Sequence, residues 1–87
     1  MSELKEQIAY LNEDALFLPD EYDSCLKGHV FNKTSGSLVA VYDAFSIIKT
    51  LVEKNEWSEE DAVEYYDYNI EGAYLGENTP LFLYTDP

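Results

Sequence analysis

The chain has 87 residues and a formal net charge of -13, from 18 acidic against 5 basic side chains, while 46% of its residues are hydrophobic. Every basic residue is a lysine (Lys5, Lys27, Lys33, Lys49, Lys54), which argues against direct binding of nucleic acid or of an anionic membrane surface, since both need clustered Lys and Arg. The apolar and aromatic content argues against disorder, no apolar run approaches the ~18 residues of a membrane span, and the length fits a single domain over 1–87.

In chain order, residues 3–13 predict an amphipathic helix, with Ser2 as N-cap and Leu4, Ile8 and Leu11 at the 3.6-residue period. Pro19 stops the apolar run Ala15 to Leu18, and the acidic stretch Asp20 to Ser24 reads as a turn or one helical turn. Residues 25–32 and 37–42 predict a β-hairpin closed by Lys33-Thr34-Ser35-Gly36. The continuous apolar run Leu38 to Tyr42 suits a strand covered on both faces. Asp43 opens a helix with an apolar stripe of Ala44, Ile47, Ile48, Leu51 and Val52, and Asn55-Glu56 ends it. Ser58 is the N-cap of a further helix, with Glu59, Glu60 and Asp61 at the positive end of its dipole and Trp57 and Ala62 placed as a hydrophobic staple. That helix is expected to run to Glu71, to bury Ala62 or Val63, Tyr66, Ile70 and Ala73, and to stop at Gly72 as a C′ residue. Gly76 to Pro80 forms a turn, and 81–84 a closing strand. The expected fold is α+β: a small three-stranded antiparallel sheet packed with about three helices, in the order α-β-β-α-α-β.

Cys25 and His29 are the sole cysteine and histidine. A lone cysteine forbids an internal disulfide, and with no signal-peptide pattern at the acidic N-terminus the expected compartment is the reducing cytoplasm. The spacing of the two residues does not make a dyad, because positions i and i+4 of a strand lie about 13 Å apart. A zinc site lacks its further soft ligands, so no metal and no cofactor are expected.

A longer pattern joins Val41-Tyr42-Asp43 to the run from Ser58 to Ile70, then to Gly72-Ala73-Tyr74-Leu75-Gly76-Glu77 and Thr79-Pro80-Leu81-Phe82. In this acidic-aromatic helix followed by a Gly-Ala-Tyr-x-Gly turn, the stretch from Leu38 to Phe82 resembles a family of small uncharacterised proteins encoded by bacteria and their phages. The resemblance implies a compact cytoplasmic protein of mobile-element origin. It carries over no activity and no catalytic or binding residue, and it leaves out the N-terminal third.

Glu60, Glu64, Asp67 and Glu71 follow i, i+4, i+7 and i+11, which lines four carboxylates along one helical face about 5–6 Å apart. No lysine lies within the helix to neutralise them. Such a row resembles the phosphates of a nucleic-acid strand and can compete for a Lys/Arg-lined groove, as a DNA mimic does. Tyr65, Tyr66, Tyr68 and Tyr74 crowd the same region, and adjacent helical positions diverge by about 100°, so at least one ring must reach the surface. The candidate partner-binding residues are therefore Glu60, Glu64, Asp67, Glu71, Tyr65, Tyr68 and Tyr74. The bland alternative is a solvated face that keeps a small protein soluble.

No motif places these carboxylates for catalysis: a Gly-rich phosphate loop, HExxH and calcium-loop spacing are all lacking. The expectation is a non-enzymatic acidic inhibitor or regulator that binds a basic protein surface, such as that of a nucleic-acid-binding or host defence protein. Two alternatives are a ligand-binding or signal-sequestering oligomer with its site at Tyr74 to Thr79, and a homodimerising interaction domain.

Overall fold

The computed structural model describes residues 3–73 and 76–84. The expected N-cap Ser2, the tyrosine Tyr74 and the terminus Asp86-Pro87 lie outside the described residues. The elements are α1 (Glu3–Leu11), a 3-10 helix (Asp20–Cys25), β1 (Leu26–Asn32), β2 (Ser37–Asp43), α2 (Ala44–Asn55), α3 (Glu59–Tyr66), a π-helical turn (Asp67–Glu71) and β3 (Leu81–Leu83). The fold is α+β with a three-stranded sheet in the order β1-β2-β3.

The sheet is mixed, which corrects the antiparallel expectation. β1 and β2 pair antiparallel as the predicted hairpin, but β3 runs parallel to β2, with Val41 level with Leu81 and Asp43 level with Leu83. The cause lies in the segment before β3. Asn12 Nδ2 donates to the Leu38 carbonyl at 2.8 Å and to Asn78 Oδ1 at 3.0 Å, and the Leu16 amide donates to the Asn78 carbonyl at 3.2 Å. These bonds hold residue 78 beside the entry of β2, so the strand that follows must run in the direction of β2. The regular helices and strands keep the order α-β-β-α-α-β, with a 3-10 helix at the expected helical turn before the hairpin and a π turn added after α3.

Local chemistry sets the boundaries. The hairpin loop closes through an Asx turn, Thr34 N–H to Asn32 Oδ1 at 3.0 Å, and through Gly36 at φ 79°, the left-handed region that glycine enters without a Cβ penalty. Lys27 is the extra residue of a β-bulge between Leu26 and Gly28. Asp43 caps α2: its Oδ1 accepts from the Phe45 amide at 3.1 Å and its Oδ2 from the Ser46 hydroxyl at 2.9 Å. α2 ends at Glu56 in the left-handed conformation, φ 55°. Ser58 caps α3 by accepting from the Asp61 amide at 3.2 Å. α1 stops at Leu11, short of the expected 13, where Asn12 Oδ1 accepts from the Asp14 amide at 3.1 Å in a turn and its Nδ2 reaches Leu38 and Asn78.

Residues opposite one another in a sheet share a face. Leu26, Ala40 and Tyr42 turn one face into the core, where they meet Ile8, Tyr22, Cys25, Ile47, Leu51, Ala62, Tyr66 and Ile70. The Tyr42 hydroxyl accepts from the Leu18 amide at 3.0 Å, so this buried ring also fixes the irregular segment before the 3-10 helix. Val39 and Ala40 are both buried, as expected of a central strand. No helix among the described residues is long and apolar enough to cross a membrane.

Candidate functional site

The acidic helix ends differently from the sequence expectation. α3 is α-helical only to Tyr66, after which Asp67 to Glu71 widen into a π turn closed by the Gly72 amide on the Asp67 carbonyl at 2.9 Å. Gly72 has φ -74° and so is not a left-handed C′ residue. Its glycine identity is required by space: a Cβ there would stand 2.6 Å from the Asp67 carbonyl oxygen. Asn69 Nδ2 donates to the Tyr65 carbonyl at 3.2 Å and competes with the regular i-4 backbone bond.

The buried side of this segment is Ala62, Tyr66 and Ile70, as its period requires, with Val63 and Ala73 half-buried. Tyr66 is fully buried, with its ring 5.6 Å from Phe82 and 6.5 Å from Tyr84, both edge-to-face. Burial raises the Tyr66 phenol above its usual range, and the neighbouring Tyr84 and Glu71 raise it further. Tyr84 donates its hydroxyl to Glu71 Oε2, and its own phenol is raised by burial and by that carboxylate.

Of the predicted site residues, Glu60, Glu64, Asp67 and Glu71 are all exposed, and Tyr65 and Tyr68 are 40% and 78% exposed. The surface depressions divide the four carboxylates. Glu64 lines a surface cleft of about 410 Å³ with Trp57, Asp61, Tyr65, Tyr68 and Asn69. Glu71 lies in another cavity, of about 450 Å³, which includes Asn32, Ser35, Gly76, Thr79 and Phe82. Glu60 and Asp67 line neither. Trp57, Asp61 and Asn69 are the cleft residues that the four-carboxylate reading passes over. A different spacing marks them: Asp61, Glu64, Tyr65 and Tyr68 follow i, i+3, i+4 and i+7, a single helical stripe, and Trp57 precedes the N-cap of the same helix.

The ion pairs among the described residues lie elsewhere. Lys5 bridges Asp20 at 2.9 Å and Asp23 at 3.0 Å, and Lys54 pairs with Glu21. The hydrogen bond from Lys5 holds the Asp20 carboxyl below its usual range and raises the lysine in turn. Cys25 is buried with Sγ 3.7 Å from Thr50 Oγ1, while His29 on β1 is exposed, so the two do not form a site. No cluster of three or more His, Cys, Asp or Glu among the described residues is arranged to hold a metal ion. Compared with known proteins, the chain matches no family model, no curated protein and no solved structure.

Proposed function

We propose that this protein is a small acidic binding module that occupies a basic surface of a partner protein and so acts as an inhibitor or regulator without catalysis. One observation carries the reading. Glu56, Glu59, Glu60, Asp61, Glu64, Asp67 and Glu71 are all exposed, the segment holds no lysine, and none of these carboxylates joins an ion pair among the described residues. Self-repulsion at a net charge of -13 opposes the compact state, and a Lys/Arg-lined partner surface relieves it. The partner is a nucleic-acid-binding or host defence protein, because a Lys/Arg-lined groove made for phosphates also fits closely spaced carboxylates. Binding is expected to be fast and salt-sensitive.

Immobilised protein is challenged with a bacterial extract at low and at high salt. A basic protein should be retained at low salt, released at high salt, and lost when Glu64→Lys and Asp67→Lys are combined. Retention of no basic protein at low salt, or retention indifferent to the charge reversal, rejects the proposal.

The cavity at Glu71 favours a second reading, a small-ligand site beside the Gly76 turn. An anionic ligand there would need the backbone amides of the turn to offset the surrounding charge. A thermal shift with nucleotides supports this reading, and its absence across a metabolite panel rejects it.

A further inference from the structure

We infer that the cleft of Trp57, Tyr65 and Tyr68 receives the cationic head of a lysine or arginine side chain from the partner, which rests on the outer aromatic surface of the cleft beside the carboxylates of Asp61 and Glu64. This rests on the proposed binding of a basic protein surface and names the point on the acidic face where one partner side chain is selected.

Four features converge on a cation. First, two of the rings pack on each other, Trp57 and Tyr65 with centroids 5.2 Å apart at an interplanar angle of 53°, and Tyr68 lines the same cleft with its ring exposed. Aromatic faces carry the negative end of the ring quadrupole and attract ammonium or guanidinium groups within about 6 Å. Second, the same cleft holds two carboxylates and no lysine. Third, its internal hydrogen bonding is limited: Asn69 Nδ2 is committed to the Tyr65 carbonyl, and the Asp61 amide to Ser58. The carboxylate oxygens remain turned to water. Fourth, the cleft is shallow and open to solvent, so the end of a long side chain on a partner surface can reach it.

A neutral or anionic group does not fit this setting. An anion would stand against two carboxylates and the ring faces. A neutral apolar group would leave the carboxylates to be desolvated without a partner. The positive end of the α3 dipole disfavours a cation near Ser58, but Glu59, Glu60 and Asp61 in the first turn offset it.

Trp57 is the only tryptophan of the chain and lines the cleft, so its emission reports on this place alone. The full chain is titrated with hexa-arginine and hexalysine at fixed ionic strength, with calorimetry in parallel. The expected result is a saturable change in Trp57 emission that follows the calorimetric isotherm. Tyr68→Leu, at a position 78% exposed and therefore harmless to folding, should weaken binding about two- to fivefold, the range of an exposed cation–aromatic contact. Glu64→Gln should weaken it by a similar factor, and Glu60→Gln, on the same helix but outside the cleft, by less. Stronger binding of hexa-arginine than of hexalysine assigns the guanidinium, and the reverse order the ammonium. Peptide binding by calorimetry with unchanged Trp57 emission and an unaffected Tyr68→Leu variant overturns the cleft while the wider acidic face stands. No binding of either peptide at low salt overturns both.

Discussion

The hairpin from Leu26 to Asp43 and the segment from Glu56 to Glu71 divide the molecule by charge. The hairpin carries Lys27, Lys33 and one acid, Asp43, which is buried and spent on capping α2. The helical segment carries seven acids and no lysine, and all seven face water. The hairpin is fixed along its length by backbone pairing. The helical segment hangs on the core through Ala62, Tyr66 and Ile70 and through the turn that Gly72 permits. The difference teaches that a small domain can hold a dense field of like charge when most of the charged residues have no share in packing, Glu71 with its bond from Tyr84 being the exception among the seven. Carboxylates in water repel weakly at high dielectric, and the buried stripe on the opposite side sets the geometry.

Breaking the attachment of the acidic segment should have the largest effect. Tyr66→Ala removes a fully buried ring that touches Phe82 and Tyr84, and it should cost about 3–5 kcal/mol in urea unfolding. A loss below about 1 kcal/mol would show that the segment is held by something other than this ring. Glycine substitutions sharpen the contrast between the two regions. Gly72→Ala drives a Cβ against backbone and should cost about 1–3 kcal/mol, while Gly36→Ala meets open space and should cost about 1–2 kcal/mol through handedness alone. Asparagine, which tolerates left-handed backbone, should rescue position 36 and fail at 72; equal behaviour at both sites would contradict the steric account.

A smaller effect follows from pH. Burial raises the phenols of Tyr66 and Tyr42, so the folded state keeps protons that the unfolded state releases. The stability they contribute is complete below the unfolded tyrosine value near pH ~10 and declines as the pH rises above it. Urea midpoints measured on both sides of that value should fall only on the alkaline side. The smallest expected effect is a rise of a few degrees in melting temperature on adding sodium chloride at neutral pH, as screening relaxes the acidic segment. Unchanged melting across the salt range would mean that its carboxylates are already too far apart to repel.

Sequence patterns made the hairpin, the caps at Asp43 and Ser58 and the buried stripe of α3 legible, because each is written within about four positions along the chain. The direction of β3 was not legible. It depends on Asn12 reaching Asn78, a bond between residues 66 positions apart. The π turn was hidden for another reason: Gly72 reads as an ordinary helix stop, and only the approach of the Asp67 carbonyl reveals the wider turn. At the candidate site, the exposed carboxylates and tyrosines could be named from their spacing. Their division between two cavities could not, since Trp57 enters the cleft from the preceding loop and Tyr84 reaches Glu71 from beyond β3.

The Asn12 tie also predicts an order for the folding reaction. The β1–β2 hairpin closes a short loop and can form early, whereas β3 pairs with β2 only once the chain from Asp43 to Leu81 has closed, and the Asn12 amide ties the segment before β3 to the end of α1. Closing the longer stretch costs more chain entropy and comes later. Asn12→Ala should therefore leave the rate of hairpin formation unchanged and slow the final addition of the parallel strand, which makes one amide near the start of the chain the gatekeeper of its far edge.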